Sequence, residues 1–383
     1  MTTPRRILAC VSGMSPAIVT ETLYALVTQQ AFIPDEVHVI TTLKGRELLR
    51  TDLLAPETGH FHAFLREYLP GRPIRFDDST IHVIGESAHG TGTPLADIQT
   101  DDDNRAAANT LYRVLRQLKS VPSTHLHASV AGGRKSMSFY MGQAFSLVAE
   151  PQDRLSHVLV SDPFENPALK FFYPPVTPRE FSAADRQTGR TIRANSADAH
   201  VQLADLSVIK LGRMLGELPE KARTDFDFAI RIAQATLEAP AVRLVLDTGS
   251  VDLLGESIAL APQEFLVLAL YAMARAHAHE LPGGAALRAE DLDERLLSDL
   301  NGGKAVKGRD NFKPVHSKIV KRLAGVVGGA ADWLTIEAVR ERPAGVKYSP
   351  CELRLPAHCL TLEGVDKEWW PLLRKALTTP SHG

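Results

Sequence analysis

The sequence predicts an α/β protein: a parallel sheet flanked by helices, followed by a smaller winged helix-turn-helix-like domain. Three observations carry this. Short apolar runs alternate with longer helical patterns from residue 5 to about 175, which implies βαβ units with right-handed crossovers. Two of the runs end in small-residue turns that open directly into helices, Ser12-Gly13-Met14-Ser15-Pro16 and Ala131-Gly132-Gly133-Arg134-Lys135. From about Val242 the pattern changes to short strands with tight turns, then to helices and a two-stranded ribbon. At 383 residues the chain is long enough for two or three domains. The expected limits are 1–180 for the sheet domain, 181–240 for a helical connector and 241–383 for the winged-helix-like domain.

In chain order, strands are expected at Ile7–Val11, Glu36–Thr41, Ile81–Ile84, Leu126–Ala131 and His157–Val160. The helices between and around them are Ala17–Gln29, Gly45–Thr51, Thr58–Tyr68, Asn104–Leu118 and Ser136–Ala149. Asp101-Asp102-Asp103 is read as a helix start rather than a metal site, because acids there cap the helix and oppose its dipole. The proline-rich stretch Pro163–Pro178 contains Phe171-Phe172-Tyr173-Pro174-Pro175, which continues neither a helix nor a central strand. Its aromatics are expected to pack on the domain. Ala199–Leu237 reads as amphipathic helix.

Beyond it, Val242–Asp247, Val251–Leu254 and Ser257–Leu260 suggest short antiparallel strands. Pro262–Arg275 is a strongly apolar helix opening on Pro-Gln-Glu. Then come a helix over Glu290–Asp299, the hinge Asn301-Gly302-Gly303, a helix over Phe312–Val327, and a ribbon of Trp333–Arg340 and Cys351–Leu355 around Pro343-Ala344-Gly345.

Composition narrows the function. The chain is 44% hydrophobic and 23% charged with net charge −2, so any nucleic-acid contact must come from a local patch. The most basic stretch holds Lys304, Lys307, Arg309, Lys313, Lys318, Lys321 and Arg322 against one acid, Asp310. Val315, Ile319 and Leu323 recur there at helical spacing and give it a packed face. Duplex DNA contact through Lys313, Lys318, Lys321 and Arg322 and a solvated helix stand as even alternatives. Cys10, Cys351 and Cys359 form no CxxC pair, which suits reduced thiols and a cytoplasmic location. The apolar run after Arg6 is too short for a signal peptide or a membrane span.

The chemistry-bearing residues gather at strand ends. No G-x-G-x-x-G, P-loop, H-E-x-x-H, EF-hand or Arg-x-x-x-x-His pattern occurs. What remains is Ser12, Gly13, Ser15, Thr41, Thr42, Gly132, Gly133, Arg134, Lys135 and Ser161, each at or just beyond the carboxyl end of an expected strand. Open α/β sheets bind ligands at that edge. Taken singly, each hydroxyl is read as a helix cap. Arg134 and Lys135 are different: cations at a helix N-terminus oppose its dipole, so an anionic partner is the natural explanation. No cofactor and no metal are expected.

These residues carry a family resemblance. Val11-Ser12-Gly13-Met14-Ser15-Pro16 with Val19-Thr20-Glu21-Thr22-Leu23-Tyr24-Ala25-Leu26 resembles the opening of CRISPR-associated CARF proteins of the ring-nuclease kind. So do Asp35–Thr42, Asp103-Asn104, Ala131–Met137, and Ser156–Val160 with the Phe-Phe-Tyr-Pro-Pro that follows. Five segments match in order over about the first 180 residues. The resemblance implies a homodimeric Rossmann-like domain that binds cyclic oligoadenylate, most often cyclic tetra-adenylate. It places Ser12 and Lys135 at the scissile linkage, with Ser15 and Arg134 as further contacts. An RNA linkage can be cut by its own 2′-hydroxyl, so such a site must align that hydroxyl and stabilise phosphoryl charge without supplying a nucleophile or metal. The expected activity is thus a metal-independent ring nuclease leaving 2′,3′-cyclic phosphate ends. The alternative is a ring-gated DNA-binding regulator without cleavage.

Overall fold

The computed structural model describes residues 4–86, 92–184, 189–281, 284–287, 298, 313–339, 349–364, 370–371 and 374. The chain divides into two compact units, Met1–Gly216 and Glu217–Gly383.

In the first unit the strands are β1 (Arg5–Val11), β2 (Glu36–Thr41), β3 (Ile81–Val83), β4 (Thr124–Ser129) and β5 (Arg154–Val160). They alternate with helices α1 (Ala17–Gln29), α2 (Leu43–Leu48), α3 (His60–Tyr68), α4 (Asp101–Lys119) and α5 (Lys135–Val148). The sheet runs in the order β3-β2-β1-β4-β5 with every pair parallel. That is the arrangement the alternation predicts. The strands are apolar because both faces are covered: Ile7, Leu8, Ala9, Cys10 and Val11 of β1 are all fully buried. One core layer joins Leu8, Cys10, Val37 and Val39 to Leu23 and Leu26 of α1 and Phe61 and Phe64 of α3. Phe171, Phe172 and Tyr173 are buried as expected; the Tyr173 hydroxyl donates to Glu67 Oε1 at 3.1 Å and the Tyr68 hydroxyl to the Pro174 carbonyl at 2.6 Å.

The capping reading of the aspartates holds, with a shifted boundary. Thr100 is the N-cap and Asp101, Asp102 and Asp103 form the first turn of α4. Asp103 N–H donates to Thr100 Oγ1 at 3.1 Å while its carboxylate accepts from Thr100 N–H at 2.9 Å, a reciprocal capping box. The amino end of the sheet, where β4 and β5 begin and α4 and α5 finish, is fastened by Asp153, which is fully buried. It pairs with Lys119 Nζ at 2.9 Å and accepts from the N–H groups of Leu126 and Glu150, each at 2.8 Å.

The connector departs from the reading. Ala199–Leu237 is not one helix, and 181–240 is not a helical segment. Strands β6 (Glu180–Ala184) and β7 (Thr191–Asn195) form an antiparallel hairpin, and β8 (Val201–Asp205) joins the sheet antiparallel to β5. The sheet is therefore mixed at this edge. Val201 packs with Val158, Phe164 and Phe171, and that layer of contacts outweighs the helical spacing. A four-residue helix α6 (Gly212–Leu215) then stops at Gly216, where φ is +58°.

The second unit holds helix α7 (Phe226–Leu237), then β9 (Val242–Val245), β10 (Ser250–Leu253) and β11 (Glu256–Ala259) as the expected antiparallel strands. Helix α8 (Pro262–Ala276) is buried along nearly its whole length and packs against α9 (Lys313–Val327). Strands β12 (Ile336–Ala338) and β13 (Cys351–Leu353) pair antiparallel. An unforeseen strand, β14 (Leu360–Glu363), runs parallel to β9. Except for Ser298, which is helical, the helix expected over Glu290–Asp299 lies outside the described residues. So do the hinge Asn301-Gly302-Gly303, Lys304, Lys307, Arg309, Asp310 and the turn Pro343-Ala344-Gly345. The winged-helix arrangement itself is not established by the elements that are described.

A buried histidine, His127, and a half-buried one, His82, make the stability of the first unit depend on pH. His127 donates to or accepts from Ser156 Oγ at 2.7 Å, and His82 Nε2 lies 3.0 Å from His38 Nδ1. Burial pushes both imidazoles down to about 4 from the ordinary 6.5. The unfolded chain therefore binds more protons between these values, so the stabilisation is full above pH 6.5 and is lost as pH falls toward 4. Each group contributes a slope of up to about 1.4 kcal/mol per pH unit. Urea midpoints measured from pH 7 to 4.5 should fall, and His127→Gln should flatten the dependence; an unchanged slope in that variant would refute the assignment.

Candidate functional site

Three strand-to-helix turns meet at the carboxyl edge of the first unit's sheet, following β1, β2 and β4. Ser12 N–H donates to the Ile40 carbonyl at 3.1 Å, and the Ser12 carbonyl accepts from Thr41 Oγ1 at 2.7 Å. These bonds tie the first turn to the second. The first turn and the turn after β4 touch backbone to backbone: a Cβ on Gly13 would lie 2.9 Å from Gly133 Cα. Gly45 is confined from both sides, since a Cβ there would lie 1.9 Å from Thr41 Oγ1 and 2.9 Å from the Gly13 carbonyl oxygen. Ser138, on the first turn of α5, donates to the carbonyls of Val130 at 2.8 Å and Gly132 at 3.2 Å and so clamps its own preceding loop.

The structure sorts the sequence-predicted residues into two groups. Ser12, Thr41 and Thr42 are buried scaffolding: the Ser12 hydroxyl donates to the Ser15 carbonyl at 3.2 Å, and Thr42 is the N-cap of α2, accepting from Gly45 N–H at 3.4 Å. Ser15, Gly133, Arg134 and Lys135 are exposed, with Met14 beside them at 70% exposure. Gly13 and Gly132 lie between, half-buried. Ser161 stands apart from the shared contacts; its hydroxyl accepts from His200 N–H at 3.0 Å and secures the approach to β8. For Thr41, Thr42 and Ser161 the capping or tethering role is the one observed.

The two cations differ in the same way. Arg134 is the N-cap of α5 and makes no capping bond, since a guanidinium has no acceptor to offer. It is held instead by Asp97, with Nε to Oδ1 at 3.0 Å and Nη2 to Oδ2 at 2.5 Å. The anionic partner inferred for this arginine is thus supplied by the chain itself. Arg134 draws the Asp97 carboxyl down to about 2, helped by the Ile98 N–H and by the charge of Lys44. Lys135, the first residue of α5, is exposed and has no hydrogen-bond or ion-pair partner among the described residues. Met137 N–H donates to the Arg134 carbonyl at 2.9 Å, and the N–H groups of Lys135 and Ser136 ahead of it meet no protein acceptor among the described residues.

Sequence reasoning missed Asp97 and Lys44. Lys44-Gly45 follows Thr41-Thr42 much as Lys135 follows its glycine pair, so Lys44 had a signal in the repeated layout. Asp97 had none, being 37 residues from the arginine it holds. In the second unit, Lys318 and Lys321 are exposed, while Arg322 pairs with Glu264 Oε2 at 2.9 Å across α8 and α9. That arginine is occupied in packing two helices.

This is an α/β protein whose mostly parallel sheet carries, at its carboxyl edge, glycine-locked turns, a lysine with no partner among the described residues and uncapped helix amides, the kind of arrangement that favours an anion. The chain belongs to the CRISPR-associated protein NE0113 family, which matches residues 15–237. The CRISPR-associated identity expected from the motifs is therefore the one found, and the Rossmann-like sheet expected with it is present. No curated protein sequence matches the chain. Among solved structures it is similar to Enterococcus italicus Csm6 bound to cyclic hexa-2′-fluoro-hexa-dAMP, at 13% identity and a TM-score of 0.30. That likeness covers 61% of this chain and 46% of the other, so the chain spans less than half of that protein's length. Among the described residues no helix is long and apolar enough to cross a membrane.

If the contact between the turns sets the geometry, Gly13→Ala should be costly. A methyl at 2.9 Å from backbone cannot be relieved by a rotamer change and should cost about 1–3 kcal/mol. Urea unfolding of Gly13→Ala beside Gly71→Ala is the check, because nothing lies within 4 Å of a Cβ at Gly71, although its φ of +75° carries its own strain. Equal stability of wild type and Gly13→Ala would show that the turns are not locked.

Proposed function

We propose that the first unit binds cyclic oligoadenylate, most often cyclic tetra-adenylate, at this crevice and cleaves it as a metal-independent ring nuclease. The carrying observation is Lys135: an exposed cation without a partner among the described residues, at the head of a helix whose first amides are also unsatisfied. A cation there costs about 0.3–1 kcal/mol against the helix dipole, a penalty that a bound phosphate reverses. Membership of a CRISPR-associated family agrees with such a second-messenger ligand.

In this reading the adenylate 2′-hydroxyl gives up its proton and attacks the adjacent phosphorus, the bond to the 5′-oxygen breaks, that oxygen takes up a proton from solvent to become a 5′-hydroxyl, and a 2′,3′-cyclic phosphate remains. Lys135 Nζ and the Lys135 and Ser136 amides stabilise the charge that develops on the phosphoryl oxygens. Ser12 acts as a positioning residue: its buried hydroxyl holds the Ser15 carbonyl and so the exposed part of the turn. Ser15, Gly13, Gly132 and Gly133 form the surface against which the phosphate and ribose lie, and Arg134 takes a phosphate once Asp97 yields it. Thr41, Thr42 and Ser161 build the edge and do not touch the ring. Two copies related by a two-fold axis would present each group twice, matching the ring's own symmetry.

The second reading, a ring-gated DNA-binding regulator, draws on exposed Lys318 and Lys321 of α9. It is weakened at Arg322, whose guanidinium already holds Glu264. Duplex binding that falls steeply with salt and is lost in a Lys318→Ala/Lys321→Ala variant would favour it over cleavage.

Single-turnover cleavage of labelled cyclic tetra-adenylate tests the main reading. Lys135→Ala should slow ring opening by about 10²–10³, the usual loss for one preorganised electrostatic group. Ring affinity should fall less. Ser12→Ala should give a smaller loss in rate, since it loosens the turn and leaves the cation in place. EDTA should leave the wild-type rate intact. Wild-type cleavage by Lys135→Ala would refute the catalytic assignment. Sedimentation should show a dimer, and a monomeric mass unchanged by added ring would count against the two-fold site.

A further inference from the structure

Arg134 is the residue best shaped to fork onto a phosphate, yet the fold gives it a carboxylate. The segment that brings this carboxylate crosses the carboxyl edge of the sheet. Leu95 N–H donates to the Ile84 carbonyl at 2.8 Å, and the Leu95 carbonyl accepts from Leu43 N–H at 2.9 Å, stitching the segment to the ends of β3 and β2. Two residues on, Asp97 reaches the turn after β4 and takes Arg134 through both oxygens, at 3.0 and 2.5 Å. In the sheet order β1 lies between β2 and β4, so residues 95–97 span the strand whose turn carries Ser12 and Ser15.

The pair has the geometry of a guanidinium–phosphate contact, in which two parallel N–H groups meet two oxygens. It is also open to exchange, because the side chains are 54% and 28% exposed. A phosphodiester offers two charged oxygens of the same kind, and it brings neighbouring phosphates that Lys135 and Lys44 can meet at the same time. A lone carboxylate or a neutral nucleoside offers no such compensation.

We propose that Asp97 is a specificity-determining residue of the crevice, an internal carboxylate that occupies the phosphate seat of Arg134 until a polyphosphodiester ligand displaces it. This rests on the proposed function. Asp97 then sets a threshold: only a ligand with several phosphates recovers more at Arg134, Lys135 and Lys44 than it loses by releasing the ion pair. Release also frees residues 95–97 from the β4 turn while their bonds to β2 and β3 persist.

The test is binding of a cleavage-resistant 2′-O-methyl cyclic tetra-adenylate to the full chain, with AMP as the single-phosphate control. Wild type is compared with Asp97→Asn, Asp97→Glu, Arg134→Ala and the Asp97→Asn/Arg134→Ala double variant. Asp97→Asn should tighten ring binding about two- to fivefold, the weight of one exposed ion pair, and should steepen its salt dependence. Asp97→Glu should behave as wild type. Arg134→Ala should weaken ring binding less in wild type, where the gain at Arg134 is offset by the lost Asp97 pair, than in the Asp97→Asn background, a coupling that a merely structural aspartate would not produce. Equal or weaker ring binding by Asp97→Asn overturns the role of Asp97 and leaves the crevice standing. Absence of ring binding by both wild type and Asp97→Asn overturns the proposed function and the role of Asp97 with it.

Discussion

The contact on which the crevice depends is the close approach of two backbones, Gly13 after β1 and Gly133 after β4. With a Cβ on Gly13 only 2.9 Å from Gly133 Cα, the turns have no room for a side chain between them. Everything else at the edge is fixed relative to that contact. Thr41 Oγ1 reaches the Ser12 carbonyl because the first turn is held down, and Gly45 fits beneath the Gly13 carbonyl for the same reason. Ser138 keeps the β4 turn from relaxing away from it. The proposed cleavage, in which a ligand's own hydroxyl is aligned with the phosphorus, would need this stiffness, since a misplacement of about 1 Å can cost 10²-fold in rate.

Much of this was legible in the sequence because it is local. The alternation of apolar and helical runs marks β1 to β5, and small residues at the strand ends mark the turns. Phe171-Phe172-Tyr173 between prolines is a buried loop by its chemistry alone. The failures share a cause: the deciding contacts are distant. Val201–Asp205 becomes a strand because β5 offers it an open edge, and its residues carry no pattern strong enough to announce that. β14 pairs with β9 across more than a hundred residues. The hydroxyls at the strand ends were visible as a group, but which of them face solvent depends on packing that spacing does not encode. Ser12 and Ser15 are three residues apart, one fully buried and the other exposed.

Charge at the carboxyl edge follows a simple division. Arg134 cannot cap α5 and repels its dipole, and the fold answers with Asp97, drawn from a segment fixed to β2 and β3. Lys135 has the same conflict with the dipole and receives no answer among the described residues. The second unit repeats the first solution: Arg322 of α9 is met by Glu264 of α8, leaving Lys318 and Lys321 in solvent. Exposed lysines in mid-helix are ordinary and cost little. A lysine at the first position of a helix with uncapped amides is not, because positive charge is there concentrated on positive charge.

That difference bears on which cations can inform a functional argument. Counting basic residues favours the stretch from Lys304 to Arg322, where seven lie close in sequence. Weighing each by what it lacks favours Lys135 instead. The basic stretch includes one arginine already engaged in helix packing, and Lys318 and Lys321 are exposed mid-helix lysines. Lys135 combines exposure, an unfavourable dipole and adjacent free amides, and a single phosphate would relieve all three at once. The crevice therefore holds the stronger case although it carries fewer charges.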